Sequence, residues 1–154
     1  MVSDSTQKLI GTPPVVKFST LSAMLFLTAL GVRVTAQTPE DFKQRYGNPQ
    51  SGVYRVREAI TAKVKFDHNN QAQEIVVVPL PAGDSPSAMS TATATEVLNE
   101  VMPVSRRGKL LKTGAFAASC VSVQAEEYEK VTIDRTIRCD SQGGGVYRLN
   151  IRHK

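Results

Sequence analysis

The strongest pattern along the chain is a period of two. From Tyr54 to Phe66 the even positions read Tyr, Val, Glu, Ile, Ala, Val, Phe, and the odd positions from 55 read Arg, Arg, Ala, Thr, Lys, Lys. Alternation of this length predicts one long strand with an apolar buried face, bent or bulged near Glu58 where the apolar series is interrupted. A polar turn, Asp67-His68-Asn69-Asn70, precedes a returning strand over Glu74–Leu80, ended by Pro79 and Pro81. Upstream, Pro39-Glu40-Asp41 opens a short helix over Glu40–Tyr46, with proline in the first turn and acidic residues at the positive end of the dipole. Gly47-Asn48-Pro49 stops it.

Downstream, 82–90 reads as a loop. Thr91–Met102 reads as a helix with capping-box spacing at Thr93 and Glu96 and one apolar stripe, Val97, Leu98, Val101 and Met102. Pro103 and Gly108 close it, and a basic stretch with Arg106, Arg107, Lys109 and Lys112 follows. The last third predicts strands over Phe116–Val123, Lys130–Cys139 and Val146–Arg152, the last with Tyr147, Leu149 and Ile151 inward. Gly143-Gly144-Gly145 is a turn, since no strand-loop-helix context supports a phosphate cradle. These elements predict an α+β fold, a mostly antiparallel sheet of four to five strands with one or two helices packed on one face.

The first 36 residues follow a different pattern. A polar segment with Lys8 and Lys17 leads into fifteen mostly apolar residues, Phe18–Val32, and then Val34-Thr35-Ala36. Small residues at −3 and −1 predict signal-peptide cleavage after Ala36. Fifteen residues fall short of the roughly 20 a spanning helix needs. Residues 1–36 are thus read as a signal peptide and 37–154 as a single domain without a transmembrane segment. In an exported chain the two cysteines, Cys120 and Cys139, are expected to form a bridge rather than stay free thiols. Facing each other in a simple hairpin, however, they would set Ser122 against Ile137 and leave Val121 and Val123 on a polar face. That conflict calls for a bulge, or for elements that are not hairpin neighbours.

Composition narrows the chemistry. The chain has 154 residues, no Trp and a net charge of +5. Three basic residues and one acidic residue precede position 37, so the remainder holds 16 basic and 13 acidic side chains. That excess is too small for a nucleic-acid footprint, and no nucleic-acid partner is expected. Two histidines, His68 and His153, are far apart in sequence and read as exposed polar residues, so neither a metal site nor a Ser/His/Asp triad is expected. The acidic run Glu126, Glu127 and Glu129 around Tyr128 reads as a solvated turn rather than an acid/base pair. No catalytic residue, cofactor or metal ligand is assigned.

The basic residues carry the remaining signal. Arg55, Arg57, Lys63 and Lys65 share one strand, Arg148 and Arg152 lie on the closing strand, and Arg106 and Arg107 sit at the helix exit. Converging, they would form an anion- or partner-binding surface. Read otherwise, they keep an open sheet face soluble, with Glu74 and Asp134 offsetting part of the charge.

With the helix, Tyr46-Gly47-Asn48-Pro49, the long strand, the polar turn and Glu74-Ile75-Val76-Val77-Val78 in place, residues 40–80 resemble exported bacterial proteins of unknown function. More distantly they are similar to the SmpA/OmlA-type outer-membrane-assembly lipoproteins. The lipid-bearing Cys of those lipoproteins is missing here, and no functional residue carries over. The expected function is a non-enzymatic binding domain in the periplasm or outside the cell. Its partner would be an envelope protein or an anionic envelope polymer. A small hydrolase, which would need a buried carboxyl such as Glu58 beside a cleft, and an inhibitor-like or structural envelope domain are the alternatives.

Overall fold

The computed structural model describes residues 37–83, 87–139 and 144–154. The signal peptide read over 1–36 and part of the Gly143–Gly145 turn lie outside the described residues. The element order is α1 (Pro39–Tyr46), β1 (Val53–Arg57), β2 (Ile60–Phe66), β3 (Ala72–Pro79), α2 (Thr91–Val101), α3 (Val104–Arg107), β4 (Leu110–Ala118), β5 (Val121–Tyr128), β6 (Val131–Arg138) and β7 (Gly145–His153).

The fold is α+β, as the sequence predicts, but the described sheet has seven strands in the order β1-β2-β3-β7-β6-β5-β4, and every neighbouring pair is antiparallel. Two hairpin turns account for the extra strands. The long strand expected over Tyr54–Phe66 folds back at Glu58-Ala59, so Arg57 pairs with Ile60. Likewise, Ser119-Cys120 splits the segment around Phe116–Val123 into β4 and β5, with Ala118 opposite Val121.

Alternation survives the first hairpin because both of its arms bury the same face. Cross-strand partners share a face. One row therefore runs Tyr54, Ala62, Val77, Leu149, Arg135, Gln124, Ala115 from β1 to β4. It passes from apolar to polar beyond β7. The core follows that gradient. Ile75, Val77, Ile133, Leu149 and Ile151 on this inner face are fully buried, and so are Val97, Leu98, Val101 and Met102, the predicted apolar stripe of α2. Phe42 of α1 fills the other end, its ring 5.3 Å from Tyr54 and 6.0 Å from Phe66. Burying a side chain of this size contributes roughly 1.5–3 kcal/mol.

Caps fix the helix starts. Thr38 and Asp41 form a reciprocal capping box on α1. On α2 the cap is Ser90, whose side chain accepts from the Thr93 backbone N–H. The box expected at Thr93/Glu96 is not formed, because Thr93 sits one turn inside the helix and Glu96 is engaged elsewhere. Gln37 is buried, its backbone carbonyl accepting from Ala72 N at 2.8 Å and its Nε2 donating to the Val101 carbonyl at 2.6 Å.

Cys120 and Cys139 form a disulfide with Cα atoms 5.2 Å apart. The expected bulge or separate elements are not needed. β5 and β6 pair in plain hairpin register, with Ser122 opposite Ile137, Val121 opposite Arg138 and Val123 opposite Thr136. Val121 and Val123 do lie on the outer face. Val121 is exposed there and Val123 half-buried, both outside the buried core.

Candidate anion-binding face

The outer face of the sheet is built from the residues that alternate with the core. One row reads Lys65, Glu74, Arg152, Thr132, Glu127, and the row beside it reads Val53, Lys63, Val76, Asn150, Asp134, Ala125. A third begins Arg55, Thr61, Val78. Arg148, two residues from Asn150 along β7, shares this face. Register therefore brings Arg55, Lys63, Lys65, Arg148 and Arg152 to one surface.

Their charges are not equally free. Arg152 is tied to Asp134 at 2.6 Å. Lys65 lies opposite Glu74 in the ladder, though the two form no ion pair. Arg55, Lys63 and Arg148 are exposed and form no ion pair with any described residue. Sheet geometry sets the Cα atoms of Lys63 and Arg148 about 12 Å apart, two strands across and one alternation along. Between them lies a depression of about 540 Å³ lined by Lys63, Lys65, Glu74, Val76, Val78 and Arg148. Half-buried valines and a cationic rim suit an anionic group carried on an apolar or sugar-like body. A second depression of about 400 Å³, lined by Arg55, Thr61, Val53, Leu80 and Gln50 among others, lies on the β1 side of the same face.

The other predicted cations do not join this surface. Arg57 follows a bulge in β1 that moves it to the inner side, where it binds Glu96 at 2.9 Å and Glu100 at 3.4 Å on α2. Arg107 is buried beneath the end of α2. Its Nε donates to the Met102 carbonyl at 2.9 Å, its Nη2 donates to Asn99 Oδ1 at 2.6 Å, and its guanidinium lies 5.9 Å from the Tyr128 ring centroid. Arg106 is half-buried and lines a separate hollow beside α1 with Gln37, Phe42 and Tyr46. The eight-residue surface expected from sequence thus reduces to five, because a helix exit and a strand bulge send three arginines to the helix side.

Two polar readings also change. His153 is half-buried on β7 rather than exposed, with Nε2 buried and unpartnered. Burial, and then the nearby Arg106 charge, hold its pKa below the usual histidine value. Glu126 belongs to β5 rather than a turn. It pairs with the buried Arg135 and accepts a hydrogen bond from the Tyr128 hydroxyl at 3.0 Å. Sequence reading missed this inner-face cluster because Glu126 and Arg135 meet only through the β5–β6 register. Glu58 is exposed at the first hairpin turn, so it does not provide the buried carboxyl a hydrolase would need. Among the described residues no group of three or more His, Cys, Asp or Glu could hold a metal ion. None of the described helices is long and apolar enough to cross a membrane.

No family model and no curated protein matches the chain. A solved structure of a DUF4309 family protein, YjgB, from Bacillus subtilis aligns with 79% of this chain and 83% of its own, at 11% identity and a TM-score of 0.44. A likeness at that level carries no argument about fold or activity.

Proposed function

We propose that this chain is an exported, non-enzymatic binding domain that acts in the periplasm or outside the cell and holds an anionic envelope polymer, or an envelope protein presenting acidic groups, on the outer face of its sheet. The observation that carries the reading is the trio Arg55, Lys63 and Arg148. These cations form no ion pair with any described residue and border two hollows on one face, while Arg57 and Arg107 are engaged in internal bonds. Unpaired cations around a concave, partly apolar surface attract anions at modest ionic strength. The bridge between Cys120 and Cys139 supports an oxidising destination. Intact mass of the protein recovered from cells tests export directly. A species beginning at Gln37 is the expected result, and a full-length cytosolic species with two free thiols refutes export.

Binding is tested by retention on immobilised heparin and on vesicles of anionic phospholipid. Retention is expected at low salt and lost by about 0.3 M, where the screening length falls to a few ångströms. A Lys63→Glu/Arg148→Glu variant should elute early. A control with the same charge change on the exposed Lys43 and Lys109 should elute less early than that variant. Equal elution of the two variants, or no retention of the folded wild type at low salt, refutes the reading.

A further inference from the structure

The two edges of the sheet are built differently. β1 is five residues long, is interrupted by a bulge, carries Arg55 and Arg57, and has its first residue bridged back to Gln50. Such devices protect an edge from pairing with another chain. β4 is nine residues long, pairs only with β5, and is exposed at every position. It has one charged residue, Lys112, no proline, and one irregularity near Leu111. Of the five large apolar residues most exposed among those described, three lie on it: Leu110 at 46%, Leu111 at 56% and Phe116 at 69%. A fourth, Val121, begins its hairpin partner. The disulfide joins Cys120, in the turn between β4 and β5, to Cys139 just past β6.

We propose that the free edge of β4 pairs antiparallel with β4 of a second copy, joining two sheets about a two-fold axis through Gly114. A strand edge is completed by another edge of similar length. The chain's remaining edge, β1, is short and bulged, so β4 itself is the match this molecule offers. Centring the pair on Gly114 uses all nine residues, with Leu110 opposite Ala118, Leu111 opposite Ala117, Lys112 opposite Phe116 and Thr113 opposite Ala115. No like charges meet. Each Lys112 faces a Phe116 of the other copy and keeps Glu127 as its neighbour on β5. The small residues Gly114, Ala115, Ala117 and Ala118 leave room for close approach; a Cβ added at Gly114 would meet open space. The contact closes on itself, so it gives a dimer and not a fibre.

Sedimentation velocity of the purified protein from about 1 µM to about 1 mM should show a monomer–dimer equilibrium. Phe116→Lys places a lysine opposite Lys112 of the other copy, twice per dimer, and should raise the dissociation constant by about tenfold or more. Phe116→Glu places an opposite charge there and should stay within about threefold of the wild type. Both changes fall on a solvent-exposed side chain, and unchanged melting temperatures confirm that both variants fold. A wild type that stays monomeric throughout overturns the proposal. So does equal weakening by the two variants, which would mean apolar stickiness without this register. Pairing of β4 with an unrelated extended peptide, without self-association, also overturns it.

Discussion

Arg107 offers the sharpest test of how the helix side is held together. It is 5% exposed, and its guanidinium serves two acceptors at once, the Met102 carbonyl just past α2 and the Asn99 side-chain oxygen within it. A hydrogen bond from a charged donor contributes about 1.5–3 kcal/mol. A cation at the negative end of a helix adds about 0.3–1 kcal/mol, and the face of Tyr128 about 0.5–1 kcal/mol. Against these stands the cost of taking the guanidinium out of water, several kcal/mol. Arg107→Met removes that cost but leaves two buried acceptors without donors, for a net loss of about 3 kcal/mol. For the compact unit Val34–Lys154 this lowers the melting temperature by about 10 °C. Arg107→Lys keeps the charge, but one ammonium cannot span both acceptors, and about half the loss should remain. Urea unfolding followed by far-UV circular dichroism reads the change as a lower midpoint at constant slope. A loss under about 0.5 kcal/mol for Arg107→Met would refute the structural role assigned to this arginine. Weaker heparin retention at unchanged stability would return Arg107 to the binding surface.

Two further outcomes concern the disulfide and His153. The disulfide closes a loop with a sequence separation of 19. Replacing both cysteines by serine should cost about 3 kcal/mol, read from urea midpoints, and a midpoint unchanged from wild type would show that the pair does not constrain the unfolded chain. His153 has a folded-state pKa below its unfolded value. Its contribution to stability is therefore complete above the unfolded pKa, near 6.5, and is lost as pH falls toward the depressed folded value. His153→Gln should flatten the decline in stability between pH 7 and 5, and an unchanged slope would contradict the burial of the imidazole.

Period-two alternation and the stripe of α2 were readable in the sequence because each repeats over many residues. The number of strands was not. Glu58-Ala59 and Ser119-Cys120 turn the chain without an Asn-Gly, Asp-Gly or Pro signal. Ser119 adopts φ +52° with a side chain present, a conformation that local preference does not announce. Because both arms of the β1–β2 hairpin bury the same face, its alternation also reads as unbroken. Arg55, Lys63 and Lys65 were legible as outward residues from spacing alone. Arg57 was not, because the single-residue bulge before it reverses its side. Arg107 needed the path of the chain after α2, which only tertiary packing supplies.

The strand order gives β7 unusual weight. Among the described strands, β7 lies between β3 and β6 and joins two separate meanders. The hydrophobic interior cannot be sealed until its Leu149 and Ile151 arrive, because both face the core from the middle of the sheet. Without β7 the described strands would form two half-sheets with their apolar sides open. Deleting β7 would cut the described sheet in two, whereas deleting β1 or β4 would only trim its rim.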